Sequence, residues 1–337
     1  MVYGVFISVA RPAILRRMLR YLTLTALLTV STVLYAQYPV RSILLVVPYS
    51  AGSDADLSAR NLAAHAPRYL GESVVVVNQP GASGAIGTLA VRNAAPDGYR
   101  LLLTRIASQV ILPATDTKTP YKPTDFTFIS VLETNPYVCA VKGDAPYASM
   151  KDLIADVRAQ PGKLNFATVG EGTIQNFGPQ YLFSLLKMPK DAAVGVPYKG
   201  SGELVAALAG GHVQFACSNL GALLGQFRAG TLRPLMTTTR QPIKELPDVP
   251  TARSLGWSEM ESLAAWSALA GPPQLPREVI QRWTDVMAKL ARDPAWIAGT
   301  EKLGGTPAVR SPAETERFVR DQYQLYERLA ERLGLRQ

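Results

Sequence analysis

The chain has 337 residues, enough for two domains of ordinary size. Hydrophobic residues make up 47 %, which excludes wholesale disorder. The formal charge of +9 is no nucleic-acid signature: Arg11, Arg16, Arg17 and Arg20 sit in an N-terminal stretch without acids, and the other basic residues are scattered among 26 acidic ones with no Lys/Arg run.

Arg16, Arg17 and Arg20 form a positive n-region before an apolar stretch, residues 21–36, that ends in Ala36 just ahead of Gln37-Tyr38-Pro39. Its length falls short of the ~20 residues that span a bilayer. A cleavable secretory signal peptide over residues 1–36, with Met18 as an alternative start, is favoured over a membrane anchor, and a periplasmic location follows. The next elements read as a strand at 43–48, a polar turn at 49–56, a helix from Leu57, a strand at 73–78, a Gly-rich turn at 79–87 leading into a helix to Arg92, and a strand at 99–104. Continuous apolar runs such as Ile43–Val47 indicate strands buried on both faces, and their alternation with helices indicates βαβ units and a parallel-rich sheet.

A second module begins near residue 136. Strands are expected at 137–142, 164–169, 194–197, 213–218 and 232–238, with helices at 150–159, from Thr173 to about Leu186, from Glu203 to Ala209, and up to Ala229. Residues 239–258 are Pro-rich and irregular. A strand at 263–271 and helices at 276–291, 294–302 and 312–333 complete the chain, and the last helices are expected to return to the first module. The expected organisation is therefore α/β with a discontinuous first domain, residues 37–135 plus 260–337, and a second domain, 136–259.

Cys139 and Cys217 lie in apolar strand-like runs. Buried free thiols are the favoured reading, and a disulfide in an oxidising compartment is the other. With only His65 and His212 besides, a structural metal site is not expected.

Ligands of open α/β sheets bind beyond the carboxyl ends of strands, where helix N-termini offer unpaired N–H groups to anions. Four turns have that character: Tyr49-Ser50-Ala51-Gly52-Ser53-Asp54-Ala55-Asp56, Gln79–Gly84 with Ser83, Gly170-Glu171-Gly172-Thr173, and Tyr198-Lys199-Gly200-Ser201-Gly202. Each alone is a common cap or tight turn; four together point to a shared cleft. Enzymatic motifs are lacking. Gly81-Ala82-Ser83-Gly84 lacks the spacing of a nucleophile elbow, Gly170-Glu171-Gly172 has no third glycine, and no phosphate loop occurs. Asp54 and Asp56 are a potential acid–base pair or simply caps of the following helix.

The ordered set Tyr38-Pro39, Val46-Val47-Pro48-Tyr49 with Gly52 and Asp56, Val75–Asn78 with Pro80-Gly81-Ala82, Gly84 and Ile86-Gly87, Pro96–Tyr99, Val196–Gly200, Leu246–Thr251 and Trp266 resembles the Bug family, the solute receptors of tripartite tricarboxylate transporters. The resemblance covers about residues 38–335. It implies a two-domain periplasmic-binding-protein fold of type II that hinges closed on a small organic carboxylate, needs no cofactor, acts as a monomer and is read by the membrane subunits of the transporter. The alternatives are a ligand-sensing periplasmic receptor that signals to a membrane sensor kinase and an orphan binding protein. The resemblance further implies that the Tyr49–Asp56 loop, the Thr168–Thr173 turn and the Tyr198–Gly202 turn face the ligand. The chain departs from the family's usual first loop, Phe-Ala-Pro-Gly-Gly, at Tyr49-Ser50-Ala51-Gly52-Ser53, and carries Asn176 where a His is usual. Arg105, just after a strand, either forks onto a second carboxylate or is a surface arginine. Asp56 either accepts a ligand amine or caps a helix.

Overall fold

The computed structural model describes residues 38–336 together with Met1, Tyr3 and Gly4. The arginines and apolar stretch behind the signal-peptide expectation lie outside the described residues. The leading unit, residues 1–40, carries a cis Tyr38–Pro39 bond in its described part. The body of the protein is the unit formed by residues 41–337.

Within that body the first sheet has the order β2-β1-β3-β10-β4-β11. Its strands are β1 (Ile43–Val47), β2 (Val74–Asn78), β3 (Arg100–Arg105), β4 (Thr127–Asn135), β10 (Ala265–Gly271) and β11 (Thr306–Pro307). The second sheet has the order β7-β6-β8-β5-β9, from β5 (Tyr137–Lys142), β6 (Asn165–Thr168), β7 (Val194–Pro197), β8 (Phe215–Asn219) and β9 (Leu232–Thr237). Helices α1 (Asp54–His65), α2 (Ala85–Arg92), α3 (Met150–Ala159), α4 (Ile174–Leu185), α5 (Ser201–Ala209), α6 (Leu220–Arg228), α7 (Arg277–Leu290), α8 (Pro294–Lys302) and α9 (Pro312–Leu333) flank them. This is a two-domain α/β fold with mixed sheets. β1 pairs in parallel with β2 and β3, and β6 with β7 and β8, as βαβ units require; β4, β10, β5 and β9 add antiparallel pairings.

The apolar runs become strands covered on both faces: Ile43, Leu45 and Val47 are fully buried, as are Leu101–Leu103. The helices form where sequence supplies both an apolar stripe and a cap. Helix α9 has a capping box in which Ser311 and Glu314 bond each other's backbone N–H, and it buries Val319, Tyr326, Leu329 and Leu333. It packs on β4, where Thr315 Oγ1 accepts from Val131 N (3.0 Å). Helix α8, capped by Asp293, is tied to α1 through Asn61, whose Nδ2 donates to the Trp296 carbonyl (3.1 Å). Among the described residues no helix is long and apolar enough to cross a membrane.

Two findings differ from the sequence expectations. The strand β4 has no counterpart there, because Ser130 and Glu133 interrupt its apolar run. Both are buried with partners: Ser130 Oγ donates to the Arg310 carbonyl (2.9 Å) and Glu133 accepts from Ser267 Oγ (2.9 Å). The cysteines are not free thiols. Antiparallel pairing sets Cys139 opposite Cys217 on adjacent strands, Cα–Cα 4.0 Å, and they form a disulfide. Nothing in the sequence supplies that register.

Candidate functional site

The chain leaves the first sheet at Asn135, the last residue of β4, and enters the second at Tyr137, with only Pro136 between. It returns after β9 through residues 238–264. The two crossings are joined where Thr238 N donates to the Tyr137 carbonyl (2.9 Å) and Thr238 Oγ1 to the Leu263 carbonyl (2.6 Å). Strand directions then fix which edges meet at the crossings. In the first sheet β1, β2, β3 and β4 all end there, at Val47, Asn78, Arg105 and Asn135; in the second, β6, β7 and β8 end there, at Thr168, Pro197 and Asn219. The carboxyl ends of both sheets therefore face the crossing, the place where open α/β sheets take ligands. A Cβ on Gly172 would lie 3.7 Å from Thr115 Oγ1, so the turn after β6 approaches the helical segment, residues 107–115, that follows β3.

The first loop is built around Asp56. Its residue is buried in the first turn of α1, and its carboxylate accepts from Gly52 N (2.8 Å), Arg60 Nε (2.9 Å) and Asn78 Nδ2 (3.0 Å). Asn78 also donates to the Tyr49 carbonyl (3.0 Å). Burial by itself raises the Asp56 pKa, but these hydrogen bonds and the Arg60 charge outweigh it and hold the carboxyl below its ordinary value. Asp56 is thus committed to holding the loop, while Ser53 Oγ caps α1 by accepting from Asp56 N (3.3 Å). Ser50, Ala51 and Gly52 remain exposed, and Asp54 is exposed on the helix N-terminus.

Tyr49 points back into the domain. Its Oη accepts from Ser108 N (3.1 Å), and burial of the phenol pushes its pKa up. Gly84 closes over this pair: with φ +94°, a Cβ there would sit 2.8 Å from Ser108 Cβ and 3.3 Å from the Tyr49 ring. The preceding Ala82 and Ser83 also hold positive φ, 46° and 54°, an unusual conformation for non-glycine residues that recurs at ligand clamps. Ser83 is exposed.

Arg105 is buried rather than on the surface. Its Nη1 donates to Ser267 Oγ (2.9 Å) and lies 3.7 Å from Glu133 Oε1, and its Nη2 lies 3.9 Å from Asp54 Oδ2. The row Arg105–Ser267–Glu133 runs across β3, β10 and β4 in register. The guanidinium so links the first loop to the strand that carries the crossing.

In the second domain Thr168 and Thr173 bracket Gly170. Thr173 Oγ1 donates to the Gly170 carbonyl (2.7 Å), as does Thr168 Oγ1 (3.1 Å), and Gly170 takes φ +121° with open space where a Cβ would stand. Tyr198 N donates to the Thr168 carbonyl (2.8 Å), which joins the Tyr198-Lys199-Gly200 turn to this one. Thr173 precedes α4 and Gly200 precedes α5, and neither helix start has a side-chain cap. Lys199 is exposed; its backbone N donates to Glu203 Oε2 (3.2 Å).

The structure thus gathers Tyr49, Ser50–Asp54, Asp56, Ser83 and Arg105 at the strand ends of the first sheet, and Thr168, Gly170, Gly172, Thr173 and Tyr198–Gly200 at those of the second. Sequence reasoning did not single out Asn78, Ser108, Glu133 or Ser267 as contributors. Glu133 left a trace, a lone carboxylate in an apolar run; Ser108 left none. Among the described residues no group of three or more His, Cys, Asp and Glu is placed to hold a metal.

Residues 58–335 match the family model described as tripartite tricarboxylate transporter family receptor. Protein BugT of Bordetella pertussis is 32 % identical over 294 residues, 85 % of this chain and 87 % of the relative. Among solved structures, the periplasmic binding protein BugD superposes with a TM-score of 0.76 at 28 % identity, covering 89 % of this chain and 99 % of that one. Rpa4515 of R. palustris with adipate superposes at 0.77 with 26 % identity, covering 88 % and 98 %. MatC of Rhodopseudomonas palustris with bound malate superposes at 0.76 with 25 % identity, covering 87 % and 99 %.

Proposed function

The chain belongs to the tripartite tricarboxylate transporter receptor family, a family of periplasmic solute receptors, and from that premise we propose that it binds a small organic carboxylate between its two domains and presents it to the membrane subunits of such a transporter. The observation that carries this reading is the facing of the strand carboxyl ends of both sheets across the crossing, with uncapped starts of α4 and α5 on one side and the exposed Ser50–Gly52 loop on the other. Backbone N–H groups and helix dipoles there favour an anion without a full counter-charge. The malate and adipate bound by structural relatives support the ligand class.

In this reading the two domains are residues 37–135 with 260–337, and 136–259, and they hinge at Pro136 and Thr238. Ser50–Asp54, Ser83, Thr168–Thr173 and Tyr198–Gly200 line the cleft; Tyr49 and Asp56 shape the loop; Arg105 attracts a second carboxylate at the edge nearest Asp54. The protein acts after export to the periplasm, as a monomer, without cofactor and without catalysing a reaction. A thermal-shift screen of mono-, di- and tricarboxylates tests it, because a ligand that binds only the native state raises the melting temperature by mass action. A saturable shift with one class of acid, lost on changing Ser50–Gly52, is expected. No shift with any acid in folded, ligand-stripped protein overturns the reading.

A further inference from the structure

Helices α3 and α4 border a groove on the second domain, away from the cleft. Helix α4 starts at the cleft, just after Thr173, so Leu186 and the residues that follow lie at its far end. Two adjoining depressions of about 340 and 510 Å³ run along this end and share Leu186 and Arg158. Ile154, Leu186, Met188 and Trp257 give them an apolar floor. Their charged lining is wholly basic: Lys151, Arg158 and Lys187, all three exposed. The acids of α3 are engaged elsewhere, Asp152 accepting from Ser149 N (2.8 Å) and Asp156 from Tyr147 Oη (2.6 Å) and Gln160 Nε2 (2.7 Å). Arg158 Nη2 serves the end of α4 by donating to the Leu186 carbonyl (3.4 Å). The ammonium groups of Lys151 and Lys187 have no hydrogen bond or ion pair among the described residues.

Both lysines stand where local energetics favours another residue. Lys151 is in the first turn of α3, whose partial positive charge disfavours a cation. Lys187 holds φ +53° just past the C-cap of α4, where its N–H donates to the Ser184 carbonyl (3.2 Å) and Met188 N to the Phe183 carbonyl (2.9 Å). Helices α5, α6 and α8 stop in the same way on glycine, Gly211, Gly230 and Gly304. A lysine in this left-handed turn bears a conformational cost that glycine does not, and such outliers gather at functional sites.

We propose that this groove docks an acidic segment of a partner protein, with bulky apolar side chains entering the two depressions and Asp or Glu side chains meeting Lys151, Arg158 and Lys187. An apolar floor rimmed by one sign of charge selects a segment that carries both features, and the charge speeds its capture. The apolar side chains line depressions rather than protrude, a shape that favours a protein segment over a bilayer. The inference does not depend on the carboxylate reading.

Trp257 supplies the readout. Trp266, Trp283 and Trp296 are at most 2 % exposed, whereas Trp257 is half-buried in the groove, so the emission that responds to occupancy is its own. The probe is a synthetic tryptophan-free peptide in which Asp and Glu flank a pair of leucines. Titrated into the purified full chain, it shifts the emission saturably to the blue, and the response is lost in Trp257→Phe and at high salt. Peptides with Asn and Gln for the acids, or Ser for the leucines, bind about tenfold more weakly. Lys151→Glu with Lys187→Gly weakens binding of the acidic peptide by about tenfold, while the melting temperature stays at or above that of wild type, because an acid suits the first turn of α3 and glycine suits the turn after α4. No saturable shift with the acidic peptide, equal binding of the amide peptide, or a double variant that binds like wild type overturns the proposal. A shift with phosphatidylglycerol vesicles but not with the peptide overturns it in favour of a membrane surface. If the double variant does not fold, the comparison of acidic and amide peptides on wild type decides alone.

Discussion

Replacing Asp56 by alanine tests how the first loop is held. The change removes three hydrogen bonds, to Gly52 N, Arg60 Nε and Asn78 Nδ2. The Arg60 side chain is 54 % exposed, so its pairing contributes little, on the order of 0.5 kcal/mol. Asn78 keeps its bond to the Tyr49 carbonyl, and Gly52 is open to water. Hydrogen bonds to a charged acceptor contribute about 1.5–3 kcal/mol each when sheltered; with that discount the expected loss is about 2–3 kcal/mol. At roughly 2–4 °C per kcal/mol for a unit of 150–250 residues, the melting temperature falls by about 4–12 °C in differential scanning calorimetry. The loss also depends on pH with a definite sign. The folded carboxyl titrates below its ordinary value, so its contribution is complete above the unfolded Asp pKa of about 3.9 and is lost as pH falls through the folded value. The gap between wild type and Asp56→Ala stays constant from about pH 7 to 5 and shrinks below about pH 4. A variant that melts within about 1 °C of wild type at pH 7, or a gap that widens on acidification, refutes Asp56 as the residue that holds the loop.

Arg105→Ala leaves Glu133, 3 % exposed, as an unpaired buried charge; urea denaturation is expected to show a loss of about 3–5 kcal/mol, and Arg105→Ala with Glu133→Gln recovers part of it. Gly84→Ala puts a Cβ against Ser108 at a strained φ; it is expected to cost about 1–3 kcal/mol by the same assay and to weaken carboxylate binding through Tyr49. Cys139→Ala with Cys217→Ala opens a cross-link spanning 78 residues and lowers unfolding stability by about 2–4 kcal/mol, with the circular dichroism of the folded state unchanged.

Much of the architecture is legible in the sequence because buried parallel strands announce themselves as unbroken apolar runs. Ile43–Val47 and Leu101–Leu103 carry that signal and form buried neighbours, whereas Val74–Val77 carries the same signal but forms the edge strand β2, which buries Val74 and leaves Val75 44 % exposed. The signal fails at Thr127–Asn135, where Ser130 and Glu133 are polar yet buried, satisfied by partners far along the chain at Arg310 and Ser267. The same failure hides the Arg105–Ser267–Glu133 row, whose members meet only through sheet register. The turns at strand ends were legible from small residues before helices. The division of labour inside them was not: Asp56 and Asp54 differ by two positions, but one is buried in the loop's hydrogen bonds and the other is exposed. The disulfide depends on β5 lying beside β8, a long-range pairing that periodicity does not report.

The account rests on the two domains closing over a bound acid. Small-angle X-ray scattering, recorded while the acid that gives the largest thermal shift is titrated into stripped protein, measures binding and closure together. The account predicts a fall in the radius of gyration that saturates at one acid per chain. A scattering curve that stays unchanged at acid concentrations that saturate the thermal shift contradicts it.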